Sequence, residues 1–248
     1  MISLIDTHIH LDAPELTGRG FNLLPAARQS GIDQFIVPGV RVSGWSGMLA
    51  LAEKAENVYF APGLHPAYAN QWSCIAAEQL QELARQPKVV AIGEIGLDKR
   101  VAPSLQQQEI ALRKQLQIAL TAGLPVLLHA REATGGLLAI LRELQIGEKV
   151  GGIWHGFSGS LPVAKELVAL GFKIGVGPIL LRENARKLPE AVRALPAAAL
   201  VLETDFPDMT DRPETLITIA EKIAELRSIS LDEVARITTE NARQLFGV

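Results

Sequence analysis

Short, largely apolar runs punctuate the chain: Ile2–Ile5, Gln34–Val37, Val58–Ala61, Val89–Ile92, Pro125–Leu128, Val150–Trp154, Phe172–Val176 and Leu200–Leu202. Most lack the apolar/polar alternation of a strand with one wet face, which is the pattern of strands in a parallel sheet covered on both sides. Amphipathic stretches lie between them, among them Ser104–Ala122, Gly135–Glu143, Ser160–Leu170 and Glu183–Ala194. Gly31, Gly123 and Gly171 each follow a helical run, where a residue able to take a left-handed conformation ends a helix. The runs recur about every 28 residues, the length of one strand, one helix and their two loops. Eight such units in 248 residues, with no linker or shift of composition, predict an α/β protein folded as one TIM (β/α)8 barrel over residues 1–248. An open doubly wound sheet shows the same alternation, but eight units filling the chain favour the closed form. Leu231–Phe246 reads as a last helix on the barrel's outside.

Composition narrows the possibilities without changing that reading. Hydrophobic residues make up 48% and charged residues 21% of the chain, the balance of a globular protein with a buried core. Lys and Arg total 24 and Asp and Glu 27, a net charge of −3 that argues against a surface coated for nucleic-acid binding. The one cysteine, Cys74, has no partner for an internal disulfide. The start lacks the basic and apolar regions of a secretory signal, and no apolar run approaches the ~20 residues of a membrane helix. A cytoplasmic protein is expected, and a monomer, since no helix carries a sustained heptad seam.

The chemistry gathers where the apolar runs end. All five histidines, His8, His10, His65, His129 and His155, lie at or within a few residues of such an end. In a barrel these ends share one mouth, the face that carries active sites. A lone strand-end histidine is commonly structural; five of five at one rim is a pattern. His8 and His10, two apart on a strand, point to the same face and form a pair suited to a divalent ion, with Asp6 available to hold an imidazole N–H. Glu94 ends the fourth run, with Gly93 and Gly96 allowing close backbone approach, and a carboxylate there can bridge two ions. His129 and His155 are each the first polar residue after a buried run and together can hold a second ion. Asp205 follows the last run, with Glu203 on its face; an aspartate there can ligate an ion while taking a proton from water.

In order, these residues resemble the TatD family of metal-dependent deoxyribonucleases, within the amidohydrolase-like barrels. The matching segments are Asp6-Thr-His-Ile-His10, Gly63-Leu-His-Pro66, Gly93-Glu-Ile-Gly-Leu-Asp98, His129-Ala-Arg131, His155-Gly-Phe-Ser-Gly159, Glu203-Thr-Asp-Phe-Pro207 and the closing Glu240-Asn-Ala-Arg-Gln-Leu-Phe246. The resemblance implies a hydrolase cleaving phosphodiester bonds in DNA through a hydroxide held between two divalent ions, with zinc, magnesium or manganese as cofactors. One ion would be held by His8, His10, Glu94 and Asp205, and a second by Glu94, His129 and His155. Asp205 would be the catalytic base, and His65 would touch substrate or orient water. Arg131, two residues past His129, is the best placed of several loop cations (Arg41, Lys99, Arg100, Arg182, Arg212) to receive a phosphate oxygen.

Two segments depart from the family pattern. Lys99-Arg100 follow Gly-Leu-Asp where aromatic residues are usual, and Asp211-Arg-Pro-Glu214 stands where the family carries an asparagine before proline and glutamate. The first removes a platform on which bases stack. The ligand set is intact, so a non-enzymatic metal-binding barrel is the weakest reading. The competing enzyme reading keeps both ions and changes the bond, to an amide or an aminoacyl ester. No lysine stands at Glu94's position, where barrels of the cyclic-amidase group carry a carboxylated one.

Overall fold

The structure, a computed structural model, describes residues 2–16, 19–52 and 54–248. Among the described residues eight strands are formed: β1 (Leu4–Asp6), β2 (Ile32–Pro38), β3 (Val58–Ala61), β4 (Ile92–Asp98), β5 (Val126–Arg131), β6 (Gly152–Trp154), β7 (Phe172–Val176) and β8 (Leu200–Leu202). The helices are α1 (Leu24–Gln29), α2 (Trp45–Ala52), α3 (Cys74–Leu83), α4 (Leu105–Ala122), α5 (Thr134–Leu144), α6 (Ile146–Lys149), α7 (Leu161–Ala169), α8 (Lys187–Ala194), α9 (Thr215–Arg227) and α10 (Leu231–Phe246). Two compact units are distinguished, one of residues 1–37 with 155–248 and one of residues 38–154.

In the first unit β1 pairs parallel with β2, and β7 with β8. Thr7, just past β1, donates its N–H and its hydroxyl to the Leu202 carbonyl at 2.9 and 2.8 Å, so the first strand lies beside the last. The helix α10 covers both: it packs on β1 and β8, and the buried Asn241 amide donates to the Ala197 and Leu200 carbonyls, each at 2.8 Å. Ser230 caps α10 by accepting from the Glu233 N–H, with Asp232 and Glu233 at the positive end of the helix dipole.

In the second unit β4 pairs parallel with β5, and β5 with β6; Phe60 of β3 bridges Val89 ahead of β4. The helix α4 packs on β4 and begins with a capping box between Ser104 and Gln107. Two glycines permit close strand approach there. A Cβ on Gly93 would come within 2.5 Å of the Leu127 Cβ, and one on Gly96, whose φ is +158°, within 1.8 Å of the His129 carbonyl.

Three local readings are corrected. The fourth apolar run is mostly approach, not strand: Val89–Ala91 connect by single contacts, and β4 starts at Ile92, where glycine lets β5 close in. Glu94 is therefore the third residue of β4 and not its end, and His129 likewise lies inside β5. The helix expected from Glu183 starts at Lys187, with Pro189 in its first turn, where a missing N–H costs nothing. The strand ends at β3, β7 and β8 and the helix Leu231–Phe246 fall where the apolar pattern puts them. Gly31, Gly123 and Gly171 all take positive φ after their helices.

Asn241→Ala leaves two buried carbonyls at the α10–β8 contact without their donor. The expected loss is about 2 kcal/mol of folding stability, read as a lower urea midpoint at unchanged m-value.

Candidate metal centre

Candidate ligands are found in both units. In the first, Asp205 is the hub. Its Oδ1 lies 3.4 Å from His10 Nε2 and 3.7 Å from His8 Nε2, and its Oδ2 lies 3.4 Å from His155 Nε2. The His8 and His155 rings stack at 3.5 Å between centroids, and His8 meets His10 edge-on at 5.0 Å. These spacings are long for hydrogen bonds. They suit donors around one small cation, since ligands about 2.0–2.2 Å from a tetrahedral ion stand about 3.3–3.6 Å apart. The ligand atoms of His8, His155 and Asp205 all lie within 4.8 Å of one another, and so do those of His10, Asp205 and the exposed Asp208.

The main chain holds this hub in place. Asp205 donates its N–H to the His8 carbonyl at 2.8 Å, and His10 donates to the Phe206 carbonyl at 2.8 Å. Asp205 itself takes φ +52°, a left-handed conformation. His8 and His10 lie beyond β1, which ends at Asp6, so the expectation that they sit on the strand is corrected. Both are nevertheless buried, with Ile9 between them donating its N–H to Ile36.

Asp6 does not hold an imidazole, as its place beside His8 suggested. Its carboxylate accepts from the main-chain N–H of His8 at 3.2 Å, the N–H of Thr204 at 3.0 Å and the Thr204 hydroxyl at 2.5 Å. It thus ties the segment carrying His8 to the segment carrying Asp205. Full burial pushes its pKa up from 3.8 to about 7, against those three donors.

The carboxylate that does hold an imidazole is Glu203, whose Oε2 lies 3.1 Å from His155 Nδ1 while Oε1 accepts from the Gly156 N–H at 2.7 Å. Room for it comes from β7, where a Cβ on Gly175 would fall 2.3 Å from Glu203 Oε2. With Nδ1 engaged by Glu203, His155 turns Nε2 towards Asp205, a carboxylate–histidine arrangement that fixes which nitrogen is offered to a metal. Burial opposes charge on His155, but Glu203 and Asp205 on either side outweigh it and hold its pKa well above 6.5. Burial also opposes ionisation of Asp205, and the facing His155, with His10 and His8, outweighs it and keeps the carboxyl well below 3.8. A half-buried anionic hub ringed by imidazoles is a donor set that fits a divalent ion.

In the second unit Glu94 Oε1 lies 2.8 Å from His129 Nδ1 and 4.0 Å from His65 Nε2. On its other side His129 Nε2 meets Asp98 Oδ2 at 3.1 Å. His65 caps the turn after β3: its Nδ1 accepts the Ala67 N–H at 3.1 Å, which leaves Nε2 as the protonated, donating nitrogen. That tautomer suits a hydrogen-bond donor better than a metal ligand. Arg131 is the exposed last residue of β5, and Arg100 forms an exposed ion pair with Glu132. Among the residues sequence reasoning passed over, Asp98 stood inside a quoted motif without a role. Its signal was an acid two residues beyond a glycine near a strand's end.

A family model described as TatD related DNase matches residues 5–247. The chain is 40% identical to the uncharacterized metal-dependent hydrolase YjjV of Escherichia coli, over 98% of both chains. It is 34% identical to the 3′-5′ ssDNA/RNA exonuclease TatD of Erwinia amylovora, covering 99% of this chain and 100% of that one. The crystal structure of the E. coli YjjV protein, a TatD homologue, superposes with a TM-score of 0.92 at 38% identity, covering 99% of this chain and 98% of that one. The fold is accordingly of the α/β, (β/α)8-barrel class. No helix among the described residues is long and apolar enough to cross a membrane.

Zinc added to chelator-stripped protein at about a hundred times its dissociation constant should stabilise the fold by about 2.7 kcal/mol, seen as a raised melting temperature. Asp205→Asn keeps a residue that tolerates left-handed backbone and removes the anionic hub, so the zinc-dependent rise should shrink to a small fraction.

Proposed function

Because the chain belongs to the family of TatD-related DNases, a family of metal-dependent hydrolases, we propose that it hydrolyses phosphodiester bonds in nucleic acid with two divalent ions. The observation that carries this reading is the hub at Asp205, with three imidazole Nε2 atoms 3.4–3.7 Å from one half-buried carboxylate. The family resemblance assigns His8, His10, Glu94 and Asp205 to one ion and Glu94, His129 and His155 to the other. Zinc, magnesium and manganese all suit such nitrogen and oxygen donors in some measure. When bound, a pair of such ions supplies an activated water and offsets charge on the phosphoryl oxygens.

The chain's own residues do the rest. Asp205 takes the proton of the attacking water on a carboxylate oxygen, its main-chain bond to His8 fixing the backbone that carries it. Glu203 keeps His155 turned to present Nε2. His65, a donor at Nε2, hydrogen-bonds a non-bridging phosphate oxygen, and Arg131 reaches a neighbouring phosphate. Support for a nucleic-acid substrate comes from the Erwinia relative, named as a single-stranded DNA and RNA exonuclease.

The test is cleavage of bis-p-nitrophenyl phosphate, single- and double-stranded DNA, RNA, aminoacyl esters and amides by metal-supplemented protein. Phosphodiesters should be cut, and esters or amides cut in preference would move the reading to the other bond. His8→Ala and Asp205→Asn should each lower metal-dependent cleavage at least a hundredfold, an estimate on the scale of losing general-base catalysis. Asp205→Asn turning over at the parental rate would remove the proposed base. Elemental analysis of the reconstituted protein should give close to two ions per chain.

A further inference from the structure

We infer that Gln108 and Gln115 of α4 are positioning residues, each clamping the main chain beside one histidine of the candidate site. They are seven residues apart, two helical turns, and so project from one face of α4. That face packs inward, and both side chains are 1% exposed. A buried glutamine on an apolar helix face needs hydrogen-bond partners or it destabilises the fold.

Both find the same kind of partner. Gln108 Oε1 accepts the Asp98 N–H at 2.8 Å while its Nε2 donates to the Asp98 carbonyl at 2.8 Å and the Pro103 carbonyl at 2.7 Å. Gln115 Oε1 accepts the Leu64 N–H at 2.7 Å while its Nε2 donates to the Leu64 carbonyl at 3.2 Å. Each primary amide thus takes both main-chain groups of a single residue, as a neighbouring strand would, where the strand has run out. Asp98 is the last residue of β4, and Leu64 lies three residues past β3.

What is clamped leads directly to the site. The Asp98 carboxylate is pinned on Oδ1 by the Arg100 N–H at 2.7 Å, which aims Oδ2 at His129 Nε2 at 3.1 Å. With Asp98 holding Nε2, the nitrogen left for an ion is Nδ1, the one that faces Glu94. Leu64 precedes His65, whose own N–H is donated to the Val40 carbonyl at 3.0 Å, so fixing residue 64 fixes the start of the turn that His65 caps. Gln108 therefore acts through Asp98 on the ring of His129, and Gln115 acts on the tautomer and placement of His65.

The Gln108 arm rests on the ligand assignment proposed above; the Gln115 arm does not. The experiment uses the full-length chain with ¹⁵N-labelled histidine and the apolar variants Gln108→Leu and Gln115→Leu. In zinc-loaded wild type, His129 should show a slowly exchanging Nε2 proton. Gln108→Leu should lose that signal and bind zinc 10–100-fold more weakly in chelator competition. In metal-free protein, His65 should be a single Nε2–H tautomer. Gln115→Leu should mix its tautomers, with zinc affinity unchanged. Should Gln108→Leu fail to fold, Asp98→Ala removes only the carboxylate and should show the same loss of signal and affinity. Variants that lower the melting temperature but leave the histidine signals and zinc affinity as in wild type would overturn the clamp. A wild type that takes up no zinc would defeat the functional reading instead, and the His65 tautomer would still decide the clamp.

Discussion

Three imidazoles around one carboxylate, all largely withdrawn from water, set the terms for the unit that holds β1 and β8. A buried carboxylate is costly unless cations or donors face it. Here Asp205 is met by His155 and by His8 and His10, which stand nearly two hundred residues before it in the chain. The hub can form only if the start and the end of the chain are neighbours. That adjacency is built into the main chain, through Thr7 on Leu202, Asp205 on His8 and His10 on Phe206, and into the Asp6 carboxylate that grips both segments. The last helix, laid over β1 and β8 and anchored by Asn241, is the outer side of the same joint.

The second unit meets its demands with neutral groups. Glu94 and Asp98 flank His129, and the strand that carries both acids is steadied from behind by an uncharged helix face. A satisfied amide costs less to bury than an ion pair and holds direction as well, since its donor and acceptor are fixed in one plane. The polar interior of this unit is thus graded, with charges facing His129 and amides behind them.

Much of the fold could be read from hydrophobic pattern alone. Val58–Ala61, Phe172–Val176, Leu200–Leu202 and Leu231–Phe246 end where apolarity or a glycine says they end. The fourth strand starts later than the apolar run because Gly93-Glu-Ile-Gly-Leu-Asp98, all but its first residue, carries two glycines and two acids, which read as loop until a neighbouring strand supplies the reason for the glycines. Among the candidate residues, the histidines stand out in the sequence by type and position. Their holders do not. Asp6 looked like a ligand's partner and proved to be a main-chain tie, whereas Glu203 looked like a companion of Asp205 and holds His155. Which acid faces which ring depends on side-chain direction across strands, and no spacing in one chain encodes that. The glutamines of α4 carry no mark in the sequence, and only their burial in the structure shows that they serve main-chain partners.

The backbone at Asp205 bears on why that position holds the acid it does. Its φ of +52° lies in a region that aspartate and asparagine enter at little cost and most other side chains resist. A glutamate there would meet both a conformational penalty and an extra methylene between its oxygens and the rings. The choice of acid at the hub is therefore made twice, by reach and by torsion angle. Of the two carboxylate side chains, aspartate is the one that satisfies both.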